Sequence, residues 1–259
     1  MPNQRIVGVI PAAGKATRIA PLPGSKELFP IGFGDTIHDG RVRRYPKVVS
    51  QYLVDNMARA GATEVYFVLG EGKLDIMEYY GDGQRFGVRL AYLMMDRLWG
   101  MPYTIHQAYH WMRDADVIFG MPDTIFTPSD AFSQLLALQN RMRADLTLGL
   151  FKTAQPQRLS MVKYDQDDRV LAIFDKPAHT DLLYTWGIAC WGTRFTELLH
   201  QEVGFPPKRE NEVVLAEIFQ RAVETGLNIR ALRFDSGEYI DIGTPEDLQV
   251  AVARFARCG

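Results

Sequence analysis

The chain has 259 residues, 47% of them hydrophobic, and a formal net charge of −2 at pH 7. That is enough apolar material for one large buried core, and too little positive charge to gather nucleic acid or an anionic membrane surface. Two cysteines, Cys190 and Cys258, make neither a disulfide framework nor a metal quartet, so both are read as reduced thiols.

Taken in order, residues 6–10 (IVGVI) are short, apolar and β-branched, which predicts a buried parallel strand. No charged-then-apolar leader precedes that strand, and no apolar run approaches the span of a bilayer, so the expected location is the cytoplasm with no membrane partner. Pro11, Gly14, Pro21, Pro23 and Gly24 then forbid a regular helix, so the backbone runs irregularly past the strand's carboxyl end, where open α/β sheets bind ligands. The small residues Ala12, Ala13, Gly14 and Ala16 admit a bulky anion to the main-chain N–H groups. Lys15, Arg18 and Lys26 add positive charge with no acid between them, which suits a polyphosphate.

Residues 33–44 are polar, carry His38, Asp39 and arginines 41, 43 and 44, and read as an exposed excursion. Val48, Val49, Tyr52, Leu53 and Met57 recur at helical spacing as far as Ala60, with Gly61 as the stop. Strand 64–69, helix 73–80 and strand 88–95 complete a βαβαβ half of a doubly wound parallel sheet. A helix over 103–112, a strand over 116–119 and a helix opened by Pro128, Ser129 and Asp130 and running to Met142 follow; Asp123 stands in the loop between the last two.

From Asp145 the texture changes to short strand-like runs at 146–151, 161–164, 170–174 and 184–191, a mixed-sheet lobe on the same core. Helices are expected over 195–199 and 212–223, strands over 229–234 and 239–242, and an amphipathic helix over 245–255. The whole, 1–259, reads as a single domain with halves 1–145 and 146–259. No hexapeptide repeat is present, so no β-helical acyltransferase or oligomerising tail is expected. The histidines at 38, 106, 110, 179 and 200 lack metal-ligand spacing and are read as core or surface residues.

Three stretches carry a resemblance. The first is Ala12-Ala13-Gly14-x-x-Thr17-Arg18, then Pro21, then Ser25-Lys26-Glu27-Leu28-Phe29-Pro30-Ile31; the second is Tyr239-Ile240-Asp241-Ile242-Gly243-Thr244-Pro245; the third is Phe174-Asp175-Lys176-Pro177. Together they resemble the sugar-1-phosphate nucleotidyltransferases, also called nucleoside-diphosphate-sugar pyrophosphorylases. The resemblance implies a Rossmann-like doubly wound α/β fold with a mixed sheet and a small appended sugar-binding lobe, residues 1–145 serving the nucleotide and 146–259 the sugar.

It also implies a reaction, NTP + sugar 1-phosphate → NDP-sugar + pyrophosphate, with Mg²⁺ as cofactor and no nucleic acid partner. By resemblance Arg18 meets the triphosphate, Lys26 bridges the nucleotide and sugar phosphates, and Asp123 and Asp241 hold the metal. Ala12, Ala13, Gly14, Lys15 and Thr17 form the nucleotide loop. Asp175, Lys176 and Gly187 contact the sugar and its phosphate.

Departures bear on specificity. Met95 falls where many relatives read a pyrimidine ring with glutamine, which turns base reading over to backbone near Ala12 to Gly14 and Gly100 and favours dTTP or UTP with little discrimination between them. Ala16 replaces a customary glycine, Asp175 a customary glutamate, and Ser160 stands where a sugar would lean on bare backbone. Two alternatives stay open: a cytidylyltransferase acting on another phosphate such as phosphocholine, and a nucleotide-sugar sensor without turnover. Joint retention of Arg18, Lys26, Asp123 and Asp241 argues against the sensor, and self-association into a homo-oligomer is left open.

Overall fold

A computed structural model describes residues 5–38, 40–204 and 212–255; Asp39 and Cys258, named above, lie outside the described residues. The elements run β1 (Ile6–Ala12), β2 (Pro30–His38), β3 (Arg41–Val48), α1 (Val49–Arg59), β4 (Glu64–Leu69), α2 (Leu74–Tyr80) and β5 (Arg89–Met94). Then come α3 (Met101–His106), α4 (Tyr109–Met112), β6 (Asp116–Gly120), β7 (Thr124–Phe126), α5 (Ala131–Met142), β8 (Leu146–Lys152), β9 (Ser160–Tyr164) and β10 (Val170–Asp175). The chain closes with β11 (Tyr184–Trp191), α6 (Thr193–Val203), α7 (Leu215–Glu224), β12 (Ile229–Phe234), β13 (Tyr239–Asp241) and α8 (Pro245–Phe255).

Nine strands form one mixed α/β sheet. From one edge, β5, β4, β1 and β6 are mutually parallel; β11 enters antiparallel to β6, β8 pairs antiparallel with β11, and β12 pairs parallel with β8. The β9–β10 hairpin hangs from the start of β11 through the single pairing Thr185↔Met161. The second half of the sequence thus continues the first half's sheet, and only that hairpin extends from it.

The near-continuous apolar strands have their reason in two cores, one on each face. Val7, Val9, Val68, Val117 and Phe119 pack under α3, α4, α6 and α7. Ile10, Val65, Phe67, Leu69 and Ile118 pack under α1, α2 and α5. With side chains alternating across a strand, a sheet covered on both faces needs apolar residues at every position. A third cluster of Ile31, Val49, Ile125, Ile242 and Ala251 fastens α8 over β2, β7 and β13. Among the described residues no helix is long and apolar enough to cross a membrane.

Three expectations are corrected. The excursion over 33–44 is a regular antiparallel hairpin, β2–β3; β3 is exposed over most of its length, so no buried face imprints an alternating pattern on the sequence. The helix expected over 103–112 divides into α3 and α4 and begins at Met101, just after Gly100. The loop after β6 contains a three-residue strand, β7, too short to leave a periodic signal.

Candidate active site

β1 continues through Pro11 and Ala12, in register with Val68 and Leu69 of β4, and the loop leaves from its carboxyl end. The backbone around Ala13 lies against Gly70, where an added Cβ would stand 2.4 Å from the Ala13 carbonyl oxygen. Only a glycine permits that approach, and Gly70 is a supporting residue that sequence reading missed. Ala16 sits at φ +53°, in the left-handed region that glycine enters freely and alanine enters at a cost of about 1 kcal/mol.

The turn from Ser25 to Leu28 aims Lys26 into the site. Its Nζ lies 2.5 Å from Asp123 Oδ2, with both side chains only 14% exposed. Burial disfavours the charged ammonium, but Asp123 together with Glu27 and Asp241 outweighs it, so the Lys26 pKa is raised. Asp75 holds the turn by accepting from the Ser25 N–H at 2.7 Å and from the Ser25 hydroxyl at 2.6 Å. Lys73 donates to Glu27 at 2.6 Å, an ion pair whose members are 6% and 1% exposed, and the Ser50 hydroxyl donates to the Glu27 carbonyl at 2.6 Å. Burial pushes the Glu27 carboxyl up, and Lys73 opposes it. Lys73 and Asp75 were not foreseen: they open a short helix 46 to 50 residues from their partners, and no local spacing announces such a pairing.

Asp123 and Asp241 meet through β7 and β13. In that ladder Asp241 stands opposite Thr124, and the Ile242 N–H donates to the Asp123 carbonyl at 3.0 Å. Burial, then the neighbouring Asp123, raises the Asp241 carboxyl to about 6; the Gly243 N–H at 2.7 Å, Lys26 and Arg18 pull the other way. Arg18 lies close over Gly243, where an added Cβ would be 3.0 Å from its Nη2.

Asp123 disfavours the charge on Asp241, and a cation shared by the two carboxylates relieves that repulsion. Among the described residues no group of three or more His, Cys, Asp or Glu could hold a metal, which disfavours an all-protein cage. The pair instead fits a hard ion such as Mg²⁺, which takes one or two carboxylates and completes its shell with phosphate and water.

These residues surround a cleft of about 370 Å³ lined by Pro11, Ala13, Gly14, Arg18, Lys26, Gly100, Met101, Thr104, Asp123, Glu212 and Asp241, among others. A second cavity of about 250 Å³ shares Met101, Met121, Glu212 and Asp241 with it and adds Arg158, Ser160, Asp175, Lys176, Thr185, Trp186 and Tyr239. The two cavities adjoin across the four shared residues. Gly100 ties their walls together: it adopts φ +106°, and an added Cβ would lie 2.1 Å from the Val213 carbonyl oxygen.

Five of the residues singled out from the sequence stand elsewhere than expected. Met95 is 4% exposed and packed in the core, accepting from the Thr104 hydroxyl at 3.4 Å, so Thr104 faces the cleft and Met95 lies behind it. An apolar thioether gains more from burial than from a wet pocket wall. Gly187 lines neither cavity; an added Cβ would meet the Tyr239 ring at 2.5 Å, so the ring lies between this glycine and the second cavity. Ala12 belongs to the core, 1% exposed, while Lys15 and Thr17 are exposed beside the cleft rather than in its wall.

The fold and the placement of the glycine-rich loop at strand carboxyl ends define a Rossmann-like α/β protein. Within that class the chain belongs to the nucleotidyl transferase family, which it matches over residues 7–257. It is 22% identical over 241 residues to a glucose-1-phosphate thymidylyltransferase of Streptomyces antibioticus, covering 92% of this chain and 62% of that protein. The chain therefore spans less than two thirds of the length of that relative. It is 25% identical over 251 residues to a UTP–glucose-1-phosphate uridylyltransferase of Haloferax volcanii, covering 95% of each. A solved UDP-glucose pyrophosphorylase in complex with UDP-glucose shares the fold, with a TM-score of 0.80 at 16% identity over 98% of this chain and 100% of that one.

Proposed function

We propose that the chain transfers a nucleotidyl group from dTTP or UTP to a sugar 1-phosphate, giving an NDP-sugar and pyrophosphate, with Mg²⁺ held by Asp123 and Asp241. The observation that carries this reading is the convergence of Arg18, Lys26, Asp123 and Asp241 on one cleft that shares a wall with a second cavity bearing Asp175 and Lys176.

Transfer brings one anion, the sugar phosphate, onto the α-phosphorus of another, so the site must cancel repulsion and hold the two in line. The Arg18 guanidinium, a planar fork, suits the spread oxygens of the triphosphate. Lys26 lines the first cleft beside Asp123 and exchanges Asp123 for phosphate oxygens when substrate enters, a mobile point charge that follows the phosphoryl group. When bound, Mg²⁺ supplies Lewis-acid neutralisation of the phosphate oxygens. Main-chain N–H groups around Ala13 and Gly14 cradle phosphate, and Lys176 meets the sugar phosphate. The wall formed by Leu98, Gly100, Met101 and Thr104 is left to receive the base, read by backbone.

Purified protein screened against the common NTPs and a panel of sugar 1-phosphates, with pyrophosphate release as readout, tests this. Turnover is expected with UTP and dTTP and to vanish in excess chelator. Strong preference for CTP with phosphocholine promotes the cytidylyltransferase reading, and nucleotide-sugar binding without turnover with any pair promotes the sensor.

A further inference from the structure

The second cavity carries two polar side chains that touch each other. Ser160 and Asp175 face one another in the β9–β10 ladder, and the Ser160 hydroxyl donates to Asp175 Oδ1 at 2.6 Å. Both line the cavity. The pair is held in place on two sides: the Thr185 hydroxyl donates to the Ser160 carbonyl at 2.9 Å, and the N–H of Lys176, at φ +43°, donates to the Leu159 carbonyl at 3.2 Å.

A serine hydroxyl has one donor hydrogen, and here it is engaged in the hydrogen bond to Asp175 Oδ1. What remains on the Ser160 oxygen and on both Asp175 oxygens is lone pairs alone. A polar patch that can only accept is satisfied by a ligand that donates, and a ligand carbonyl or ether oxygen placed against it leaves all of these acceptors unpaired.

We infer that Ser160 is a specificity-determining residue acting with Asp175 as one acceptor-only unit, which selects a sugar 1-phosphate presenting free hydroxyl donors at one ring position or two adjacent ones. The inference rests on the sugar 1-phosphate reading above. Lys176 and the phosphate-side cations are all donors, so the pair divides the site into an end that binds an anion and an end that binds hydroxyls.

The test is a set of monodeoxyfluoro hexose 1-phosphates, in which fluorine replaces one hydroxyl at a time and cannot donate. In the wild type, fluorination at one ring position or two adjacent ones is expected to lower kcat/KM by roughly 100-fold, and by far less elsewhere. In Ser160→Ala and in Asp175→Asn, whose amide brings donors of its own, that position-specific loss shrinks to about tenfold or less, the change appears in the KM for sugar phosphate, and the KM for the NTP stays put. Ser160→Thr, which keeps the hydroxyl, restores the position-specific loss. A wild type indifferent to fluorination at every position, or a loss just as large in Ser160→Ala, overturns the inference while leaving nucleotidyl transfer intact. Failure of every sugar 1-phosphate in the parent assay overturns the functional reading, and this one with it.

Discussion

The two ends of the cleft are built differently. At the end proposed to take the phosphates, Lys26 is aimed by a turn fastened from below: Glu27 is buried against Lys73, and Ser25 gives both its hydrogen-bond donors to Asp75. At the end proposed to take the sugar, Ser160 and Asp175 sit on a hairpin that joins the main sheet through one pairing, and their hydrogen bond is exposed. A reacting centre tolerates little misplacement and profits from a rigid support, whereas the outward face of a hairpin whose Val162, Val170 and Ile173 are buried in the core can change without disturbing the chemistry. The difference predicts that substitutions at the first end act on turnover and stability, and those at the second on the choice and KM of the sugar.

The largest effect is expected at the two aspartates. Asp123→Asn and Asp241→Asn should each lower kcat by at least roughly 100-fold. Asp241→Asn should leave Tm unchanged or raise it, because burial and Asp123 already disfavour a charge there. Steady-state rates with thermal melts check this, and a wild-type rate in either variant would remove both from the reacting centre. Next, Lys26→Ala should cut kcat, by about 100-fold, more than it raises the KM for the triphosphate, as expected of a contact that strengthens in the transition state. A change confined to KM would make the phosphate end a binding surface like the other.

Lys73→Met tests the support itself. It strands a buried carboxylate, which typically costs about 3–5 kcal/mol, and loosening the turn should lower kcat by about tenfold. Urea unfolding should show most of the stability returning in the double variant Glu27→Gln/Lys73→Met while kcat stays low; full activity in Lys73→Met would show that the support is dispensable.

Met95→Gln should leave the ranking of nucleotides unchanged, with UTP and dTTP used within about tenfold of each other. It should also lower stability by about 1–3 kcal/mol, since an amide replaces a thioether inside the core. A changed ranking in the nucleotide competition assay would put this side chain back on the pocket wall.

The smallest effect lies outside the cleft, where His106 and His200 of α3 and α6 are 2.7 Å apart. Burial, then His200, depresses His106 from 6.5 to about 4, so its contribution to stability is complete above pH 6.5 and is lost as pH falls toward 4. Asp241, raised from 3.8 to about 6, acts oppositely: it stabilises below pH 4, and that contribution is lost as pH rises through 6. The difference in Tm between His106→Gln and wild type should therefore shift by a few degrees across this window in favour of the variant as pH falls; a flat difference would show that the histidine pair is inert.

How much of this was readable without coordinates follows from the range of the forces involved. The β-branched run before Pro11, the prolines and glycines after it, and the apolar strands 64–69 and 146–151 restrict their own backbones or demand two-sided burial, so the sequence alone yields a doubly wound sheet with a phosphate-type loop at its edge. Asp123 and Asp241 were legible only through the motifs around them; what sets them side by side is the register of β7 on β13, two three-residue strands far apart in the chain.

The partners of Lys26, Glu27 and Ser25, the inward turn of Met95 and the Tyr239 ring over Gly187 belong to the same group. A residue's backbone preference is set by its own atoms and its immediate neighbours. Which side chain it finally touches depends on how distant strands cross and how the two cores fill, and that is settled only when the whole chain has packed.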